Sequence, residues 1–150
     1  MKGHIVALLV AAGLSACSGQ TSGTIEGTWT ISESKPAPWL EAGQTTDPTI
    51  EGTYVGKKVT FKPEAIEGPA LLACTTPRYA YVEVPAEGIF QGGLGESGKA
   101  EEQARALGFT GFPVHTVMTS CEHDIAYHFE GQDRMAFALD NIIFWMQRTR

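Results

Sequence analysis

The residue types able to do chemistry crowd into one stretch of the chain: His115, Cys121, Glu122, His123, Asp124 and His128. With Cys121 as a thiolate, His123 and His128 would complete three ligands of a zinc site, since zinc favours sulfur and imidazole donors. Strand geometry works against that trio, because alternate residues face opposite ways and His128 then points away from His123, Tyr127 and Phe129. The histidines are instead expected at a solvent-facing rim beside a disulfide, and no metal site is expected. Gly92-Gly93-Leu94-Gly95 lacks the Lys-Ser/Thr pair of a phosphate-binding loop and reads as a turn. No Gly-x-Ser-x-Gly is present, and Glu101-Glu102 read as solubilising charges on an exposed helix face. No catalytic residue and no cofactor is therefore expected. The aromatics Trp39, Tyr79, Tyr81 and Phe90 are the candidate lining of a ligand mouth.

These residues must be positioned by a small domain, and the N-terminus says where that domain works. Ile5 to Leu14 is an apolar run after a single Lys2, the length of a signal-peptide core and too short to span a bilayer. It ends in Leu14-Ser15-Ala16-Cys17, which resembles the lipobox of bacterial lipoproteins. That resemblance implies cleavage after residue 16 and a diacylglycerol on Cys17. Each buried methylene contributes about 0.8 kcal/mol, so two or three acyl chains give durable membrane attachment. Ser18 at the following position implies the outer membrane, with the domain in the periplasm or at the cell surface.

Cys74 and Cys121 remain, an even pair in an oxidising compartment, and are expected to form a disulfide. The formal net charge of the chain is −6, and Lys2 is the only charge in residues 1–16, so the exported part carries 10 basic and 17 acidic residues. An acidic surface without a basic patch argues against nucleic acid as a partner.

Residues 17–25 are small and polar and read as a flexible tether, leaving 26–150 as one domain. Thr28 to Ser32 alternates with Trp29 and Ile31 on one face, and strand signals recur at Lys58–Phe61, with an extension to Ile66 left open beyond the Pro63 interruption, and at Arg78–Val84. Pro36, Pro38, Gly43 and Pro48 mark residues 34–50 as a long loop, with Trp39 folding back as a lid. A helix is expected over 97–107, capped by Ser97, ended by Gly108 and lying outside the sheet. Three alternating runs at 124–130, 134–139 and 142–147, joined by short turns, form an antiparallel meander. The expected fold is mostly β, seven or eight strands in a small barrel or sandwich.

Gly27-Thr28-Trp29 opening the first strand, with Arg148 or Arg150 ending the last, resembles the lipocalin and calycin pattern. The resemblance implies that an arginine, Arg148 foremost, stacks over Trp29 to close one end, and that the barrel holds a small apolar molecule. Gly27-Thr28-Trp29 with Thr60-Phe61, Gly68 and Cys74 is also similar to META-type envelope domains, which imply little about chemistry. The expected function is a non-enzymatic, lipid-anchored envelope protein binding a small apolar ligand or an envelope protein. The alternative is an inhibitor or immunity lipoprotein acting on a cell-wall-degrading enzyme.

Overall fold

The structure is a computed structural model that describes residues 23–95 and 98–150. The export segment 1–16, the lipobox cysteine Cys17 and the expected cap Ser97 lie outside the described residues. Nine strands form one antiparallel sheet that curls into a half-barrel. They are β1 (Gly27–Pro36), β2 (Lys58–Phe61), β3 (Ala65–Glu67), β4 (Cys74–Thr75), β5 (Tyr79–Val84), β6 (Val114–Thr119), β7 (Ala126–Glu130), β8 (Arg134–Leu139) and β9 (Ile142–Arg148). Helix α1 (Pro48–Tyr54) joins β1 to β2, while a 3-10 segment (Ala86–Gly92) and helix α2 (Ala100–Leu107) join β5 to β6. The strand order, β4-β3-β2-β1-β9-β8-β7-β6-β5, makes two meanders joined by the pairing of β1 with β9.

Alternation along β8 and β9 divides the apolar residues between two layers. Met135, Phe137, Ile142, Phe144 and Met146 fill the concave side, whereas Ala136, Ile143 and Trp145 face the convex side. There they meet Ile89, Phe90, Leu94, Ala100, Ala104, Leu107 and Phe109 from the β5–β6 connection. Burial of each large side chain contributes about 1.5–3 kcal/mol, so these strands are held from both faces. Helix α2 covers the convex face of the sheet as expected, but it begins at Ala100 and not at 97. Gly108, at φ 117, ends it in the left-handed conformation, donating its N–H to Ala104 O and Arg105 O.

One end of the concave core is shut by Arg148, whose guanidinium lies 4.1 Å from the Trp29 ring centroid. It also donates to the carbonyls of Thr24, Glu26 and Gln132 and pairs with Asp133 at 3.3 Å. Gly27 has φ 118, and a Cβ there would stand 3.2 Å from Arg148 Nη1, so the glycine two before the tryptophan makes room for the guanidinium. Arg150 pairs with Asp133 instead. The folded part reaches back to Gly23: Ile25, expected in the tether, is fully buried and its carbonyl accepts from Trp29 Nε1 at 2.8 Å. A single isoleucine in a polar run carries too little pattern to reveal that.

Other departures have equally local causes. The first strand runs on to Pro36, pairing with Ile142 across a bulge between Ile31 and Glu33. Pro48 starts α1 instead of breaking the chain, with the Asp47 side chain accepting from Thr49 N at 2.8 Å. Strand β6 does not alternate in polarity because Val114 and Thr116 are buried under the convex layer as Val117 is in the concave core. Together with the two-residue β4 it raises the count to nine.

The edge strands β4 and β5 are consecutive in sequence but share no ladder. The Cys74–Cys121 disulfide ties β4 to the turn after β6, with Cα atoms 5.8 Å apart, and Tyr79 O–H donates to Lys62 O at 2.7 Å. Replacing both cysteines by alanine is expected to lower unfolding stability by about 4 kcal/mol, the loop-closure value for this spacing. Urea unfolding with and without reductant checks this; an unchanged midpoint would mean the seam holds without the bond.

Candidate functional site

The site begins with β7, where alternation turns Tyr127 and Phe129 into the concave core and His128 to the convex side. His128 is 1% exposed, not at a solvent-facing rim, because the 3-10 segment covers it. Its Nε2 lies 3.0 Å from the backbone N of Phe90 and must accept that proton. Nδ1 therefore carries the ring hydrogen and donates it to Thr116 Oγ1 at 2.8 Å, and the threonine hydroxyl donates on to Val114 O at 3.3 Å. Burial pushes the imidazole pKa from 6.5 down to about 3, so His128 is a neutral, fixed tautomer.

What His128 holds is an unusual backbone. Phe90 and Gln91 take φ 51 and φ 58, left-handed values that cost non-glycine residues about 1–3 kcal/mol each. The Phe90 ring also meets the imidazole edge-on, centroids 4.9 Å apart. The segment so fixed presents Phe90 beside Trp39, ring centroids 6.0 Å apart. A Cβ on Gly93 would come within 2.7 Å of the Trp39 ring, so the indole lies directly on the glycine backbone.

Trp39 and Phe90 form one wall of a cleft of about 290 Å³. Ile125 and Leu139 supply apolar surface, and Asp124, Asp140 and His123 are the ionisable residues beside His128 in its lining. Gln91 Nε2 donates to Asp124 O at 3.0 Å, binding the 3-10 segment to the β6–β7 turn. Of the five non-glycine residues with positive φ among the described residues, Phe90, Gln91, Asp124 and Asp140 line this cleft.

The four aromatics expected around a ligand mouth thus separate into pairs. Trp39 and Phe90 meet at the cleft, with Trp39 folded back on the domain. Tyr79 and Tyr81 sit on β5, where Tyr79 packs against the concave core and Tyr81 stacks on His115 at 5.5 Å, itself 2.9 Å from Glu83. The zinc trio is not assembled: Cys121 is bonded to Cys74, and both ring nitrogens of His128 have hydrogen-bond partners. Gln91 and Asp140 escaped the sequence reading, and Asp124 entered it only among the metal-capable residues, because only backbone conformation brings the three to the cleft.

The unfolded imidazole gains its proton near pH 6.5 and the folded one near 3, so the unfolded chain binds more protons in between. Stability from this group is complete above pH 6.5 and drains away as pH falls, by about 2 kcal/mol between pH 7 and 5. A Gln in place of His128 can still accept from Phe90 N–H through its amide oxygen. His128→Gln is expected to be less stable at pH 7 yet to lose that share of the acid dependence. Thermal unfolding of both chains at pH 7, 6 and 5 checks this, and an equal fall in both would contradict it.

Comparison of the chain with protein-family models, with curated proteins and with solved structures finds no match.

Proposed function

We propose that the chain is a lipid-anchored protein of the bacterial cell envelope that binds a small, largely apolar molecule and performs no chemistry on it. The anchor is the lipobox reading of Leu14–Cys17, and the oxidising location it implies agrees with the bonded pair Cys74 and Cys121. The binding place proposed is the cleft at Trp39 and Phe90. The lipocalin-type expectation of a ligand inside the barrel is not favoured, since Trp29, Phe61, Phe137 and Phe144 fill that space with side chains. The observation that carries the reading is the concentration of left-handed non-glycine residues around an aromatic-walled cleft. Strain of this kind persists where the surrounding structure enforces it, and it gathers at ligand clamps.

A second reading has its own observation. Val82 and Met118, 37% and 44% exposed, share one face of the edge pair β5–β6, a small apolar surface suited to a protein partner. A stoichiometric complex with a lysozyme-like hydrolase in size-exclusion chromatography, lost in Val82→Glu, would favour the inhibitor alternative.

The leading reading is tested with the full chain carrying 5-fluorotryptophan, in neutral maltoside micelles. Benzyl alcohol is expected to move the fluorine resonance of half-buried Trp39 saturably and to leave those of fully buried Trp29 and Trp145 in place. Gly93→Ala, which pushes the indole off its support, is expected to weaken binding about tenfold, or 1.4 kcal/mol, without unfolding the chain. No selective shift of Trp39 at saturating probe would overturn the proposal.

A further inference from the structure

The protein uses one arrangement twice: an indole, a guanidinium over it, and a carboxylate holding the guanidinium. Arg134 lies 3.7 Å from the Trp145 centroid with Glu33 at 2.8 Å, and Arg148 lies 4.1 Å from that of Trp29 with Asp133 at 3.3 Å. In each case the ring quadrupole and the carboxylate act on the same cation. Trp39, the third indole, shares its cleft with Phe90 and with two carboxylate-bearing residues, Asp124 and Asp140. Among the described residues, no lysine or arginine lines its cleft.

Resting on the reading that this cleft binds a small molecule, we propose that its ligand is an organic cation, an ammonium or quaternary ammonium group on a small apolar body. Three observations converge on that class. The two carboxylates repel an anion, and no lining arginine or lysine offsets them. His128 supplies no positive charge, since its Nε2 accepts from Phe90 and its one ring hydrogen is directed at Thr116. The aromatic wall of Trp39 and Phe90 attracts a weakly hydrated cation more than a neutral group of equal shape, tryptophan being the best such ring.

Size narrows the class further. At about 290 Å³ the cleft is at the lower end of small-molecule sites, so it takes one ammonium group with a few carbons and not a long polycation. An inorganic ion is disfavoured, because among the described residues no group of three His, Cys, Asp or Glu side chains converges. The same ammonium chemistry is offered by a free metabolite and by a lipid headgroup. The experiment therefore carries an arm for each.

The fluorotryptophan-labelled full chain in maltoside micelles is titrated with choline and with 3,3-dimethylbutan-1-ol, its neutral carbon isostere. Choline is expected to shift Trp39 selectively and to bind about tenfold more tightly than the isostere, a difference of 1.4 kcal/mol within the range of a desolvated cation–π contact. Asp124→Asn with Asp140→Asn is expected to narrow that preference by the carboxylates' share, the aromatic wall keeping the rest. Asparagine tolerates the φ values of 45 and 52 at these positions, so the pair should fold. Equal binding of choline and isostere to the unaltered chain would overturn the cation inference and leave the small-molecule reading standing. A Trp39 signal unmoved by both probes, in a folded chain, would overturn both. Dihexanoylphosphatidylcholine supplies the last arm: tighter binding than choline assigns the headgroup source, weaker binding the free cation, and either order supports the proposal.

Discussion

The architecture depends on the pairing of the first strand with the last. Strands β1–β4 form one meander and β5–β9 another, and the ladder from Trp29↔Arg148 to Pro36↔Ile142 is where they join within the sheet. The partners lie more than a hundred positions apart in sequence, so the ladder must repay the closure of nearly the whole chain. It does so because β9 is buried on both faces, Ile142, Phe144 and Met146 inward and Ile143 and Trp145 outward. At its end, Arg148 adds a cation over Trp29 and binds three carbonyls, one of them on the neighbouring β7–β8 turn. The disulfide works on the opposite side of the sheet, where hydrogen bonding between strands stops. Ladder and covalent bond thus share the task of keeping the sheet curled.

The convex layer stands in a different relation to the sheet. Its inner surface is ordinary packing of α2 against Trp145 and Ile143, closed by Arg134 over the indole and Glu33 behind it. Its outer margin is under strain, and that strain is opposed by a single buried imidazole. Because His128 accepts from Phe90 N–H, the left-handed turn at Phe90 and Gln91 gains a hydrogen bond that a relaxed backbone would have to find elsewhere. The shape of the cleft is therefore coupled to a residue that lies beneath its surface and is neutral at physiological pH.

Much of this was readable from residue order, and what was hidden follows a rule. Strands whose large apolar residues alternate showed themselves: Trp29 and Ile31 in β1, and Ile125, Tyr127 and Phe129 leading into β7, recur with period two and are buried as that period requires. Strand β6 escaped because polarity does not alternate along it, buried Thr116 and Thr119 being polar and exposed Met118 apolar. Helix α1 escaped because Pro48, taken as a breaker, stands at the one helical turn where proline fits. The stack of Arg148 on Trp29 was anticipated through resemblance to a motif, and Gly27 explains the motif in physical terms. Half of the candidate site was legible, Trp39 and Phe90 being large aromatics in loop-like sequence. Asp140 and Gln91 were not, and Asp124 stood out only as a metal-capable residue, since left-handed conformation at Asp or Gln leaves no mark in composition.

The direction of β1 has a geometric consequence for access. The strand starts at Gly27, beside Thr24, Gln132 and Arg148, and finishes at Pro36, opposite Ile142 and just before the tip residue Asp140 reaches its turn. Ten residues of strand span about 30 Å. The polypeptide thus enters the domain at one pole while the aromatic cleft opens near the other. A molecule bound at Trp39 would therefore sit about the length of a strand away from the point where the chain joins the sheet.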